Sequence, residues 1–203
     1  MKKKELEIFL QKIPDFKKPK PGLEQYVTSA GIVADIIFIA YQMGDVENKK
    51  ILDLGCGTGI FSVGACVAGA KKVTGIDVDE DAIKIAKQFA AENKLKIDFI
   101  VKDVKDIDIL CDTVIMNPPF GAQKSNINAD RRFIEKAFEK AKVIYSLHLT
   151  KTVPFIEKMV SSLKGNIDFT KDYYFPIKHS QSFHAKKVVF FNVTLLRILT
   201  KVN

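Results

Sequence analysis

Four short runs of β-branched and other apolar residues recur along the first half of the chain, at 50–54, 72–77, 97–101 and 113–116. Such runs are the pattern of strands buried on both faces of a parallel sheet. Between the first three, residues 58–69 and 79–93 carry apolar side chains at spacings of three and four, as helices laid on a sheet do. Ahead of them the pattern predicts a helix over 29–43, with Ser29 near its start. It also predicts a short amphipathic helix opening the segment 3–22, before Pro14, Pro19 and Pro21 interrupt regular structure. Farther on come a helix at 130–141 with Asp130 as its N-cap, a strand at 143–148 and a helix at 153–163. The alternation then stops. Two strand-like runs, 166–175 and 187–199, follow each other across a polar loop, which reads as an antiparallel pair at a sheet edge. Together these elements predict an α/β fold, a doubly wound sheet that ends in an antiparallel hairpin.

Composition narrows the setting. A chain of 203 residues, 47% hydrophobic and 28% charged, is the size of one large domain with an ordinary core. The longest apolar stretch, 32–41, is interrupted by Asp35 and is too short to span a bilayer, so no membrane partner is expected. No secretory h-region follows Met1 to Lys4. Cys56, Cys66 and Cys111 are odd in number and form no CxxC pair, which argues against a disulfide framework or a zinc site and suits the reducing cytoplasm. The net charge of +8 sits at the two ends: residues 1–24 hold seven lysines against four acids, and 164–203 hold seven Lys or Arg against two Asp. A neutral body with basic ends suits a polyanionic partner such as nucleic acid.

The candidate chemistry clusters at strand ends. Asp53-Leu54-Gly55-Cys56-Gly57-Thr58-Gly59 closes the first strand and opens a helix, and its alternating glycines let the backbone turn tightly and approach a ligand. The spacing is not the GxGxxG of nicotinamide enzymes. The second strand ends at Asp77, where a carboxylate can accept hydrogen bonds from both hydroxyls of a ribose; Val78 follows it. Asp103-Val104, past the third strand, is placed to bond an adenine amino group and to pack on its ring. After the fourth strand comes Asn117-Pro118-Pro119-Phe120. The prolines hold the backbone extended without N–H donors. The Asn117 side-chain oxygen and the Pro118 carbonyl then offer two acceptors to one planar NH2 group, and Phe120 offers a ring for stacking.

DLGCGTG, GID, DV and NPPF in this order resemble the class I S-adenosylmethionine-dependent N-methyltransferases, a resemblance that implies a Rossmann-like, seven-stranded, mostly parallel sheet and that cofactor. Leu23-Glu24-Gln25-Tyr26 with Thr28, the Val-Ile-Met lead-in to NPPFG, Tyr145-Ser146-Leu147-His148 and Phe183-His184 with Lys186-Lys187 extend the match over nearly the whole chain. They are similar to the methyltransferase-like protein five family, which methylates N6 of an adenosine in small-subunit rRNA. The resemblance implies cofactor contacts at Gln25, Thr28, Gly55, Thr58, Ile60, Asp77, Asp103 and Val104, and Asp53, Cys56, Gly57, Gly59 and Val78 in the same loops are expected to join them. It makes 1–28 a helical or extended segment contributing to the cofactor site and 29–203 the methyltransferase domain, effectively one unit. It also implies a small zinc-binding activator subunit as partner.

Methylating a base requires an unstacked adenine. Lys124, Arg131 and Arg132 beyond NPPF, and Phe183, His184, Lys186 and Lys187 in the last loop, are expected to flank the opening and hold RNA phosphates. His148, ending an apolar strand, reads as a structural histidine, and no residue set has metal-ligand spacing. The chain is therefore expected to be an RNA N6-adenine methyltransferase of the cytoplasm. The alternatives are a protein glutamine methyltransferase, for which residues 1–28 are too few to form a recognition domain, a DNA adenine methyltransferase, and a catalytically idle RNA-binding assembly factor.

Overall fold

The computed structural model describes residues 2–120, 129–178 and 188–201, and its seven strands form one sheet. In chain order these are β1 (Lys50–Leu54), β2 (Lys72–Asp77), β3 (Asp98–Val101), β4 (Thr113–Met116), β5 (Val143–Leu149), β6 (Asn166–Lys178) and β7 (Val188–Leu199), arranged β3-β2-β1-β4-β5-β7-β6. The first five are mutually parallel, and β7 runs antiparallel to both β5 and β6. The expected doubly wound sheet with a closing hairpin is thus what forms. The helices are α1 (Lys3–Leu10), α2 (Ala30–Gln42), α3 (Ile60–Val67), α4 (Glu80–Glu92), α5 (Ala129–Lys140) and α6 (Val153–Ser162). Among the described residues no helix is long and apolar enough to cross a membrane.

Period-two alternation divides the strand side chains between two layers. Ile51, Ile115, Tyr145, Leu147, Val193 and Leu195 face α1, α2 and α3, whose Leu6, Leu10, Val33, Ile36, Ile37 and Val63 complete one core. Their sequence neighbours Leu52, Val114, Ile144, Leu196 and Ile198 face the other way and meet Ile134 and Ala137 of α5 and Ile156 and Val160 of α6. Below α4 a smaller cluster gathers Ile83, Ala86 and Ala90 around Phe99.

A polar tie crosses the first core. The Asp45 carboxylate, buried in the turn after α2, accepts hydrogen bonds from Tyr145 Oη (2.6 Å) on β5 and from Arg197 Nε (2.8 Å) on β7. Arg197 also pairs with Asp168 on β6, and the Asp45 carbonyl accepts from the Thr113 hydroxyl on β4 (2.7 Å). A buried charge is tolerable only when paired and hydrogen-bonded, and here β5, β6 and β7 supply the partners.

The hairpin outgrows its neighbour. Pairing of β5 with β7 ends at Leu149↔Val193, whereas residues 188–192 continue to pair with 174–178 of β6. Because β5 runs parallel to β1–β4, this overhang rises past the carboxyl ends of the parallel strands. α1, by contrast, is bound into the body: Leu6 and Leu10 are each 1% exposed. Leu10→Ala is expected to lower unfolding free energy by about 2–5 kcal/mol while leaving a single cooperative transition, measured by urea denaturation.

Candidate active site

The loop from β1 to α3 is built on left-handed glycines. Gly55 (φ 71°), Gly57 (φ 53°) and Gly59 (φ 89°) alternate with ordinary residues, and Gly59 forms the N-cap of α3. At Gly57 the lack of a side chain is used twice: the backbone is left-handed, and a Cβ would lie 2.9 Å from the Phe16 ring. The loop hangs from β2 through the Ile76 carbonyl, which accepts from the amides of Gly55 (2.8 Å) and Cys56 (2.9 Å).

Two carboxylates hold this loop from opposite sides. Asp53 is 1% exposed and accepts from the Ser62 amide (2.9 Å) and hydroxyl (2.6 Å), so it secures the first turn of α3. Burial, with a smaller contribution from the charge of Asp77, pushes its carboxyl up to about 7 against the opposing effect of the Ser62 bonds. Asp77, at the end of β2, accepts from the amides of Gly57 (2.8 Å) and Asp79 (2.9 Å). Burial raises its pKa as well, and those amide bonds oppose the rise.

The N-terminal segment lies across the same loops. Gln25 donates to Asp79 (2.6 Å) and accepts from the Lys20 amide (2.7 Å), while the Lys20 ammonium pairs with Asp79 and Asp81. Asp79 caps α4 by accepting from the Asp81 amide (3.1 Å). Burial opposes its ionisation, yet Lys20 and Gln25 hold its carboxyl below the ordinary range. Strap and helix cap are therefore one hydrogen-bonded unit.

Asn117 follows β4. Its amide nitrogen donates to the Thr28 hydroxyl (3.0 Å), which fixes the orientation of the amide and leaves Oδ1 buried without a hydrogen-bond partner among the described residues. An unpaired buried acceptor costs about 1–3 kcal/mol, and this one, on a residue that lines the cavity described below, is open to a donor from a ligand. Phe120 packs edge-on against Phe175 of β6, with centroids 6.0 Å apart and planes at 86°. The ring is thus held from behind by the projecting hairpin.

These segments surround one cavity of about 260 Å³, many times what a single water molecule needs. It is lined by the expected Gln25, Thr28, Gly55, Cys56, Gly57, Thr58, Ile60, Asp77, Val78, Asp103 and Val104, by Asn117 to Phe120, and by Arg132. Asp53 and Gly59 were expected among the ligand contacts but do not line it. Asp53 turns inward to Ser62 and Gly59 starts the helix, so both shape the loop from behind. Arg131 does not line it and pairs with Glu135 (2.8 Å). Lys124, Phe183, His184, Lys186 and Lys187 lie outside the described residues. His148 is fully buried and does not line the cavity; its Nε2 is 2.7 Å from Ser146 Oγ, and its Nδ1, 3.7 Å from Asp130, has no hydrogen-bond partner among the described residues. Among the described residues no group of His, Cys, Asp or Glu could hold a metal ion.

The cavity also includes residues that sequence reasoning missed: Phe16, Phe61, Lys102, Lys105 and Phe133. Phe133 rests against Gly55, where a Cβ would meet its ring at 3.1 Å. Phe16 had a readable signal, a lone aromatic in a proline-interrupted stretch. Glu24 and Tyr26 stood inside the Leu23–Thr28 stretch but had been given no role. The resulting arrangement suits a nucleoside-bearing ligand: a glycine loop for close backbone approach, Asp77 oxygens for hydroxyl donors, Asp103 beyond them, and at the far end an acceptor beside a ring.

Residues 37–143 match the methyltransferase small domain family. The chain is similar to the rRNA N(6)-adenosine-methyltransferase METTL5 of Danio rerio, at 39% identity over 97% of this chain and 98% of that protein. Similarity to Mettl5 of Drosophila melanogaster, of the same description, is 34% over 92% of this chain and 91% of that one. A crystal structure of a proposed RNA methyltransferase from Pyrococcus horikoshii matches with a TM-score of 0.91 and 37% identity, covering 100% of this chain and 99% of that chain.

Two outcomes check the geometry. Gly57→Ala is expected to displace Phe16 and weaken binding of the nucleoside-bearing cofactor by about tenfold or more, read by calorimetry, with far-ultraviolet dichroism unchanged. Asp53 ordinarily titrates at 3.8 but holds its proton to about 7 when folded, so its contribution to stability is full below pH 3.8 and is lost as pH rises to about 7. Asp53→Asn removes that loss. Thermal melts across this range should show the variant gaining on the parent between about pH 4 and 7 and running parallel above it.

Proposed function

We propose, from the fact that this chain belongs to the methyltransferase small domain family and to the family of rRNA N6-adenosine methyltransferases that includes METTL5, that it methylates N6 of an adenosine in small-subunit rRNA. The observation that carries the reading is the buried Asn117 Oδ1, fixed in direction by Thr28 and lacking a donor among the described residues.

S-adenosylmethionine is the methyl donor, and when bound it supplies an electrophilic methyl group on a positively charged sulfur. The residues present fit it: the cradle at Gly55 and Gly57 that side chains would fill, Asp77 for the ribose hydroxyls, and Asp103 and Val104 for the adenine. The chain's own work is on the acceptor amine. The nitrogen lone pair of adenine N6 is delocalised into the ring, which makes it a poor nucleophile. Asn117 Oδ1 and the Pro118 carbonyl accept its two N–H bonds, favour a pyramidal nitrogen and stabilise the positive charge that grows there. Phe120 stacks on the base, and Phe175 keeps that ring from swinging away. The proton becomes acidic only as the new N–C bond forms, so no general base is required before attack and the proton then leaves to solvent.

The activator subunit implied by the family resemblance is retained in this reading. β3 forms a free edge of the sheet with Ile100 and Val101 exposed, a surface suited to strand pairing by a partner. The same reading keeps the expected cytoplasmic setting, where an rRNA substrate is met.

Nucleoside mass spectrometry of small-subunit rRNA from cells with and without the gene tests the reading. One N6-methyladenosine should vanish and be restored by the wild-type chain. Asn117→Ala should fail to restore it, with methylation in vitro reduced about 100-fold or more. An unchanged rRNA profile would overturn the substrate, and release-factor glutamine would be assayed next.

A further inference from the structure

The overhanging end of the β6–β7 hairpin has two faces of opposite character. Odd-numbered side chains turn toward the first core: Phe175 is fully buried against Phe120, and Tyr173, Phe191 and Val193 pack beside it. Even-numbered ones turn outward, and a strand face in water would ordinarily carry polar residues there. Instead Tyr174 is 78% exposed and Phe190 64% exposed, the most exposed aromatic side chains among the described residues. Tyr174 pairs with Asn192, which is also exposed, and Phe190 stands two residues farther along the same face. Diagonal neighbours of this kind lie roughly 7–8 Å apart, so the two rings flank one amide side chain on a single surface.

We propose that Tyr174, Asn192 and Phe190 form a stacking platform for unpaired bases that neighbour the target adenosine in the RNA. The proposal rests on the RNA reading given above and deepens it. Withdrawing one adenine from its stack leaves adjacent bases exposed, and aromatic side chains are the usual replacement surface because every base offers a π-face. The platform lies on the outer face of the same overhang whose inner face backs the reaction site: Phe175, next to Tyr174 in β6, turns the other way and supports Phe120. Charge favours the same occupant: residues 164–203 carry seven Lys or Arg against two Asp, and 179–187, which join the two strands, include Lys186 and Lys187 and no acid. Asn192 adds a donor and an acceptor at the level of a base edge.

The test uses the full chain with any subunit that co-purifies from its own cells. Binding of a fluorescein-labelled single-stranded oligoadenylate is read by anisotropy. Methylation of rRNA extracted from cells lacking the gene is read by nucleoside mass spectrometry. Tyr174→Ala with Phe190→Ala should weaken oligonucleotide binding roughly 5- to 100-fold. It should raise KM for rRNA alike and leave KM for the methyl donor and the melting temperature unchanged. The aromatic exchange Tyr174→Phe with Phe190→Tyr should bind as the parent does, and Tyr174→Leu with Phe190→Leu should not. Unchanged RNA binding in the alanine pair overturns the platform, as does parental binding in the leucine pair. So does loss of a co-purifying protein with RNA binding intact, which would make the patch a protein-docking surface. A wild-type chain that binds the oligonucleotide through these rings but methylates no adenosine at N6 upholds the platform and overturns the reaction. One that binds no RNA overturns both.

Discussion

The site exists because the strand order reverses between β1 and β4. Connections from β1 lead through α3 to β2 on one side, and those from β4 lead through α5 to β5 on the other, so no crossover passes over the gap between them. With all five parallel strands ending on the same edge, β1, β2, β3 and β4 deliver their following loops to one crevice. Gly55, Asp77, Asp103 and Asn117 meet there although they come from separate parts of the chain. The two ends of the chain then wall it: the strap 16–28 over the glycine loop, and the β6–β7 hairpin behind Phe120.

Within that frame, polar atoms buried around the crevice divide into those already satisfied and those left open. Asp53 and Asp77 sit on either side of the glycine loop, and each accepts from amide or hydroxyl donors of the chain itself, Asp77 with one bond to each oxygen and lone pairs to spare. Their raised pKa values follow from burial and from each one's proximity to other carboxylates. Asn117 differs. Its donor end is spent on Thr28 and its acceptor end is not spent within the described residues, which separates the atom that positions the loop from the atom left open to a donor.

Much of this was readable from the residues. The β-branched runs became strands within a few positions of where they were expected, because burial on both faces leaves little choice of composition. The loops at 53–59, 77–78, 103–104 and 117–120 converged as anticipated, since a doubly wound sheet permits nothing else at its carboxyl edge. What escaped notice depends on distance in sequence. Phe16 contributes through a contact with Gly57, and nothing in a proline-broken stretch with no periodicity announces that partner. Asp53 belongs to a recognisable run, but only the three-dimensional proximity of Ser62 shows that it braces the helix from behind. The hairpin's excess length over β5 is likewise invisible in either strand alone; β6 reaches Lys178, beyond the 175 that its apolar run suggested.

The tie between Asp45 and Arg197 joins positions 152 residues apart, and Phe120 leans on a strand near the end of the chain. During synthesis the glycine loop and Asn117 therefore emerge well before the pieces that hold them. A nascent chain still lacking β7 cannot pair β6 into the sheet or charge-balance Asp45, so the Phe120 ring has no settled backing. The backing of that ring is consequently completed only when β7 pairs between β5 and β6.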